Sequence, residues 1–228
     1  MSSDFVRQLG RQPDEPATLD AAVHLVTELV PGVDHAGVTM VVRTGLSTHA
    51  ATSDVVRRGD ALQYDLGEGP CLDALRVEHT VVSNDLTTER RWPRWAPAAV
   101  QELGVRAMLS VLLYTDEATH SLGALNLYSS TTDVYDRETL LSVEELAAQV
   151  AVVVQTDREL HHHKLALANR TVIGQAQGIV MERLDVDADI AFSYLRRVSQ
   201  SSNRKLSAVA HEIVTTRRLP ALDGSDGG

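Results

Sequence analysis

Cysteine is nearly absent. Cys71 is the only one in 228 residues, which excludes an intramolecular disulfide and any cysteine-pair zinc or redox motif. Lysine is almost as scarce, two against nineteen arginines (21 − 2 = 19), a bias that suggests a GC-rich genome and says nothing of mechanism. The chain has no GxSxG, no HExxH and no phosphate-binding glycine loop with its Lys, so no catalytic class is indicated and no enzyme is expected. Asp65, Asp85 and Glu89 have no spacing that would assign acid and base roles. No run of apolar residues suffices to cross a bilayer, and Met1–Gln12 lacks the apolar core of a signal peptide. A cytoplasmic location without membrane contact is the expectation, and a lone cysteine agrees with a reducing compartment.

What is present is a charge asymmetry. From Lys164 to Pro220 the chain carries nine Lys or Arg against five Asp or Glu, a balance of 9 − 5 = +4, although the whole chain is at −10. A small basic module attached to a large acidic one suggests a polyanion-facing output and a separate input.

The basic stretch has three helical patterns. Ile173, Ala176, Val180 and Leu184 recur at three- and four-residue steps and predict one buried stripe. Asp187 is a good N-cap for a second helix whose apolar side holds Ile190, Ala191, Tyr194, Leu195 and Val198. Ser201-Ser202-Asn203 stops that helix. Leu206, Val209, Ala210, Ile213 and Val214 predict a third, which Pro220 limits. Gly174 and Gly178, one turn apart, suit close approach by another helix. Phe192 and Tyr194 are candidates for base stacking, but two residues apart they face different ways.

The pattern Arg170–Ile173–Gln175-Ala176–Gly178-Ile179–Met181–Ala191-Phe192–Leu195-Arg196–Asn203–Leu206–Ala210 resembles the ANTAR domain. That family is a three-helix output module of bacterial regulators that binds RNA and prevents transcription termination. The resemblance implies structured stem-loops in messenger RNA leaders as partners, with Arg170, Gln177, Arg196, Arg197, Arg204 and Lys205 facing the RNA. Gln177 stands where the family usually has a Lys, so one phosphate-seeking charge is missing.

The N-terminal part alternates. Residues 1–16 show no periodicity through Glu15 and are expected to be flexible. Ala17–Val30 predicts a helix ended by Pro31-Gly32, followed by strands at Gly37–Arg43 and Ser47–Ala51. Asp54–Gln63 predicts a short helix interrupted by Gly59, and Gly67–Pro70 a turn into another. A strand at Thr80–Ser83 and a helix at Trp92–Leu103 follow. Met108–Tyr114 and Leu122–Ser129 predict a hairpin across the acidic loop 115–120. The order predicts an α+β domain with a mainly antiparallel sheet flanked by helices.

The segments LQYDLGEGPCLDALR (62–76), VSNDLTTERRWPRWA (82–96), GVRAMLSVLLY (104–114) and SLGALNLYS (121–129) resemble GAF domains, sensory modules that bind small molecules or dimerise. The resemblance implies a small-molecule ligand without naming it or any cofactor. Cys71, beside Pro70 at a helix start, is a candidate redox sensor if its thiol pKa is lowered, and burial as a small apolar residue explains it as well. Trp92 and Trp95, in the run Arg90-Arg91-Trp92-Pro93-Arg94-Trp95, are candidates for a lid over the sensory pocket or for packing against it. Some GAF proteins reduce methionine sulfoxide with several cysteines, and one cysteine cannot close that internal disulfide.

Between the two parts, Asp136–Leu184 contains no proline and predicts one helix of roughly 70 Å at about 1.5 Å per residue. Leu146, Val153, Leu160 and Leu167 repeat every seven residues, with Val143 and Val150 in a second row, the pattern of a coiled-coil seam and a homodimer. His161, His162 and His163 point about 100° apart and cannot converge on one metal ion within a chain. The expected organisation is a flexible 1–16, a GAF-like sensory domain 17–135, a coiled-coil-like connector 136–168, an ANTAR-like three-helix bundle 169–220 and a disordered tail 221–228. The function expected is a signal-responsive RNA-binding regulator of transcription antitermination. The alternative is a sensory or scaffold protein whose C-terminal module binds proteins, which Gln177 and the overall acidity favour.

Overall fold

The computed structural model describes residues 2–114 and 121–220; the acidic loop 115–120 and the tail 221–228 lie outside the described residues. The chain divides into two compact units, Met1–Arg158 and Glu159–Gly228.

In the first unit, β1 (His35–Val42), β2 (Gly45–Ala51), β3 (Val81–Ser83), β4 (Ala107–Tyr114) and β5 (Ser121–Ser129) form an antiparallel sheet in the order β2-β1-β5-β4-β3. Side chains alternate across it, as the two-residue period of a strand requires. Leu109, Val111, Leu113, Leu125 and Leu127 join one buried cluster, whereas Met108, Leu112, Ala124 and Tyr128 join the other. Helices α1 (Ser2–Leu9) and α2 (Glu15–Leu29) contribute to the first cluster, and α3 (Asp54–Leu66), α4 (Pro70–Val77) and α5 (Trp95–Leu103) to the second. The predicted α+β class and antiparallel sheet are therefore observed, including the β4–β5 pairing.

The N-terminus departs from its expected flexibility. Phe5 and Leu9, one helical turn apart, are buried in the core of the first unit, so α1 is held by tertiary packing rather than by a long amphipathic pattern. Asp14 then caps α2, accepting a 3.0 Å bond from the Ala17 amide.

Helix α6 (Arg137–Leu184) is continuous, as its lack of proline predicts. Its use differs from the expected seam. Val143, Ala147, Val150, Ala151 and Val154 are buried in the core of the first unit, with Leu146 packed against it, and Val153 is only 9% exposed. Arg158 pairs with Glu15 at 2.6 Å, and Thr18 donates to Asp157. The first half of the heptad pattern thus encodes packing within the chain, and the boundary between units falls inside α6 rather than at 135. Leu160 and Leu167 are exposed. Contrary to the expectation from unbroken apolar runs, an 18-residue window of this helix reaches the apolarity of a membrane span, with mean hydropathy 1.2. Only 28% of that window is buried.

The second unit closes with α7 (Ala188–Ser201) and α8 (Leu206–Thr216) against the end of α6. Ala176, Val180, Ala191, Leu195, Val198, Val209, Ala210 and Ile213 make its core. Asp187 caps α7 as predicted, accepting from the Ile190 amide at 2.9 Å. Leu184 and Ile190, expected inside, are exposed. Among the described residues, Cβ atoms added at Gly174 and Gly178 would meet nothing within 4 Å, so no other described segment uses their expected close approach.

Gly123 is the opposite case: a Cβ there would lie 1.9 Å from the Thr39 carbonyl oxygen across the β1–β5 pair. Gly123→Ala should destabilise the first unit by more than about 3 kcal/mol, since the strand backbones must separate. Gly174→Ala should stabilise the second by about 0.5–1 kcal/mol through helix propensity. Urea unfolding of the full chain, followed by tryptophan fluorescence for the first and far-UV circular dichroism for the second, checks both.

Candidate functional site

The face of the sheet covered by α3 to α5 holds a buried polar cluster. Asp60, Gln63 and Tyr64 share one side of α3 at steps of three and four residues and face Thr39, Thr48, Ser110, Asn126 and Tyr128 from the strands. Asp60 is fully buried and accepts four hydrogen bonds. Its Oδ1 takes the Tyr128 hydroxyl at 2.5 Å and the Asn126 amide at 3.0 Å; its Oδ2 takes Thr48 at 2.8 Å and Thr39 at 3.4 Å. Asn126 also accepts from Ser110 at 2.7 Å, and Tyr64 shares a 2.7 Å bond with Thr39. No cation pairs with Asp60 among the described residues. Burial therefore dominates and raises its pKa from 3.8 to about 6, against the hydrogen bonds that lower it. The same burial, with the Asp60 charge nearby, holds the Tyr64 and Tyr128 phenols protonated well above their usual range.

Gly59 makes this arrangement possible. A Cβ there would come within 3.0 Å of the Tyr128 ring, so the apparent helix breaker is the opening through which Tyr128 lies against α3. The sequence reading missed the cluster. The available signal was polar residues at inward positions: Asp60 and Gln63 on the apolar side of a helix, and Ser110 and Asn126 in strands otherwise apolar on both faces.

The three sensor candidates lie in the same region. Cys71, Trp92 and Trp95 are buried in one cluster with Tyr128. Of the two readings of Cys71, the structure agrees with burial as a small apolar residue and not with a lowered thiol pKa: burial, then the Asp60 charge, pushes it up to about 12. A buried thiol held protonated is a poor nucleophile and lacks the electropositive, accessible setting of a redox sensor. Its amide donates to Gln63 Oε1 at 2.8 Å. Trp92 and Trp95 meet edge to face at 5.9 Å. Trp92 Nε1 donates to Asp73 at 2.8 Å and Trp95 Nε1 to the Gly59 carbonyl at 3.2 Å. The adjacent arginines fix the turn: Arg91 pairs with Glu89 and lies 4.3 Å over the Trp92 ring, and Arg94 pairs with Glu68. Arg91 holds the Glu89 pKa down near 2. Among the described residues, no group of three or more His, Cys, Asp or Glu is placed to hold a metal ion.

In the second unit the basic candidates separate into two sets. Arg170, Arg196, Arg197 and Lys205 are exposed and, among the described residues, form no ion pair. Arg196 and Arg197 line a groove of about 420 Å³ with Leu184, Ile190 and Tyr194. Phe192 is also exposed, whereas Tyr194 is half-buried and donates to the Pro220 carbonyl at 2.5 Å. The other two candidates are engaged within the module. Gln177 Nε2 donates to the Ala188 carbonyl at 2.7 Å, tying α6 to the first turn of α7, and Arg204 pairs with Glu212 at 2.6 Å.

Asp60 makes a pH prediction. Its folded pKa lies above the unfolded value, so the cost of burying its charge is absent below about pH 4 and complete above about pH 6. Relative to Asp60→Asn, the wild-type chain should lose about 3 kcal/mol as pH rises from about 3 to 7, the energy equivalent of a pKa raised from 3.8 to about 6. Denaturation of both proteins across that range checks the difference, in which carboxylates common to both cancel.

The family model for the GAF domain matches residues 12–155, and that for the ANTAR domain matches residues 162–214. Comparison with curated proteins found no match. Among solved structures, the chain is similar to the GAF domain of the cyanobacteriochrome TePixJ (18% identity, TM-score 0.53, 66% of this chain and 95% of that one). It is also similar to free methionine-R-sulfoxide reductase from Neisseria meningitidis in complex with its substrate (18%, 0.52, 69% and 88%). A third is the GAF domain of the Acinetobacter phosphoenolpyruvate-protein phosphotransferase (13%, 0.51, 69% and 92%). At these identities the likeness shows the fold alone. ANTAR domains bind RNA in antitermination, and GAF domains sense signals. The chain belongs to the GAF-domain family, and with an ANTAR domain following the GAF domain it has the architecture of a regulatory protein.

Proposed function

We propose that this chain is a signal-responsive, cytoplasmic regulator that binds stem-loops in nascent messenger RNA and promotes transcription antitermination. The first unit, matched by the GAF model over residues 12–155, serves as the sensory domain, and the second, matched by the ANTAR model over residues 162–214, as the RNA-binding output. The observation that carries the reading is the set of unpaired, exposed cations Arg170, Arg196, Arg197 and Lys205 within or beside the stretch that matches the ANTAR domain. Arginines without a carboxylate partner are free to neutralise phosphates, the main source of affinity for nucleic acid, while exposed Phe192 offers a face to an unstacked loop base. Gln177 acts by fixing the start of α7. Arg204 joins the RNA-facing set when it leaves Glu212.

Sensing falls to the α3–α5 face of the sheet. A small polar molecule that competes for the hydrogen bonds of Asp60, Asn126 and Tyr128 would reorganise that face, with Trp92 and Trp95 packed beside it. Leu160 and Leu167, the exposed remainder of the heptad pattern, support pairing of two chains along the second half of α6.

The test is a salt-dependent titration of the full chain against a double stem-loop RNA and a loop-scrambled control. The wild type should prefer the intact loops. Arg196→Ala/Arg197→Ala should lower affinity at least tenfold and reduce the slope of log K against log salt by about 1.5 to 2, two phosphate contacts being lost. Glu212→Gln should raise affinity about threefold by releasing Arg204. Equal weak binding to both RNAs, unchanged in the double-alanine variant, would instead favour the protein-binding scaffold, to which exposed Leu184, Ile190 and Phe192 would be the docking residues.

A further inference from the structure

The first unit has a concave feature away from the Asp60 cluster and on the other face of the sheet. It lies between the C-terminal end of α2 and the first turns of α6. Its volume of about 540 Å³ is within the usual range for small-molecule pockets. The floor is apolar, formed by Leu29, Val30, Val134 and Leu146, which belong to or pack against the cluster on that face. The rim carries Asp136, Glu138 and Glu145 and no Lys or Arg. Glu138 and Glu145 are seven residues apart, two turns on one side of α6, with Ser142 between them.

None of these three carboxylates forms an ion pair among the described residues, unlike Glu15, Glu68 and Glu89 elsewhere in the same unit. Asp136 is kept ionised by the bonds it accepts at the start of α6, including the Thr139 amide at 2.8 Å. An apolar floor under three unneutralised carboxylates repels anions and rewards an occupant with both a positive charge and a hydrocarbon body. We propose that this groove binds a small organic cation carrying an apolar group, at a site independent of the RNA reading. An occupant there would bear on α6 at the turns that also bury Val143 and Ala147 against the sheet.

The experiment is a nitrogen-15 NMR titration of the full chain with hexyltrimethylammonium, tetramethylammonium and hexanoate, which separate charge from hydrocarbon. Hexyltrimethylammonium should give saturable shifts at the Val30, Thr139 and Ser142 amides and bind at least tenfold more tightly than either control. Glu138→Gln/Glu145→Gln, with both changes on exposed side chains, should weaken hexyltrimethylammonium at least fivefold and narrow its advantage over hexanoate. Shifts that do not saturate, equal binding of hexanoate, or a charge-neutral variant that binds unchanged would overturn the proposal. So would ligand-free shifts at those three amides that move with protein concentration, because they would give the groove to a second copy of the chain.

Discussion

A single buried carboxylate links α3 to most of the sheet. Asp60 accepts from Thr39 on β1, Thr48 on β2, and Asn126 and Tyr128 on β5, and Asn126 extends the network to Ser110 on β4. Each partner is a neutral donor, so the network satisfies the oxygens without neutralising the charge. This is an expensive way to hold a helix on a sheet, since a buried ion with no counter-ion keeps much of its desolvation cost. A hydrophobic residue of similar volume would pack with less penalty. Retaining the carboxylate makes chemical sense where this face must respond to something polar, whether a ligand or a proton.

The covering of the opposite face explains why the chain's longest helix is not a simple spacer. Val143, Ala147, Val150 and Val154 lie in the core with Leu125 and Leu127 of β5, so the start of α6 is part of the sensory domain's own interior. The same helix supplies Ala176 and Val180 to the core of the second unit. One hydrogen-bonded element therefore contributes to both cores, and neither core is complete without it.

Periodicity made most elements legible. The apolar runs of β4 and β5 on either side of the loop 115–120, the Asp187 cap and the apolar stripe of α8 were all readable because each is a local pattern. What was not readable depended on partners distant in sequence. Phe5 and Leu9 form only one turn and gain their helix from packing. Val143 and Val150 fit a heptad seam equally well whether they face another chain or their own sheet, and periodicity carries no label for the partner. Asp60 was hidden for the converse reason: an acidic residue in a short helix that also carries Asp54 and Asp65 reads as surface until the strands beneath it bring donors from positions up to 68 residues away. Cys71 left two readings open because proximity to a helix start lowers a thiol pKa only where burial does not outweigh it, and burial is a matter of distant partners.

These features meet on β5. Asn126 and Tyr128 point to the Asp60 side, and Leu125 and Leu127, their immediate neighbours, point to the side packed by α6. Strand pleating makes that division obligatory, so a displacement of β5 that accommodates a change at Asp60 cannot be confined to one face. Gly123, where the β1 and β5 backbones come too close for any side chain, leaves the strand little room to relax sideways. Close-packed interiors transmit such shifts instead of absorbing them. The first half of α6 shares with α1 and α2 the core on the face opposite the polar cluster, and its second half supplies Ala176 and Val180 to the core of the basic module.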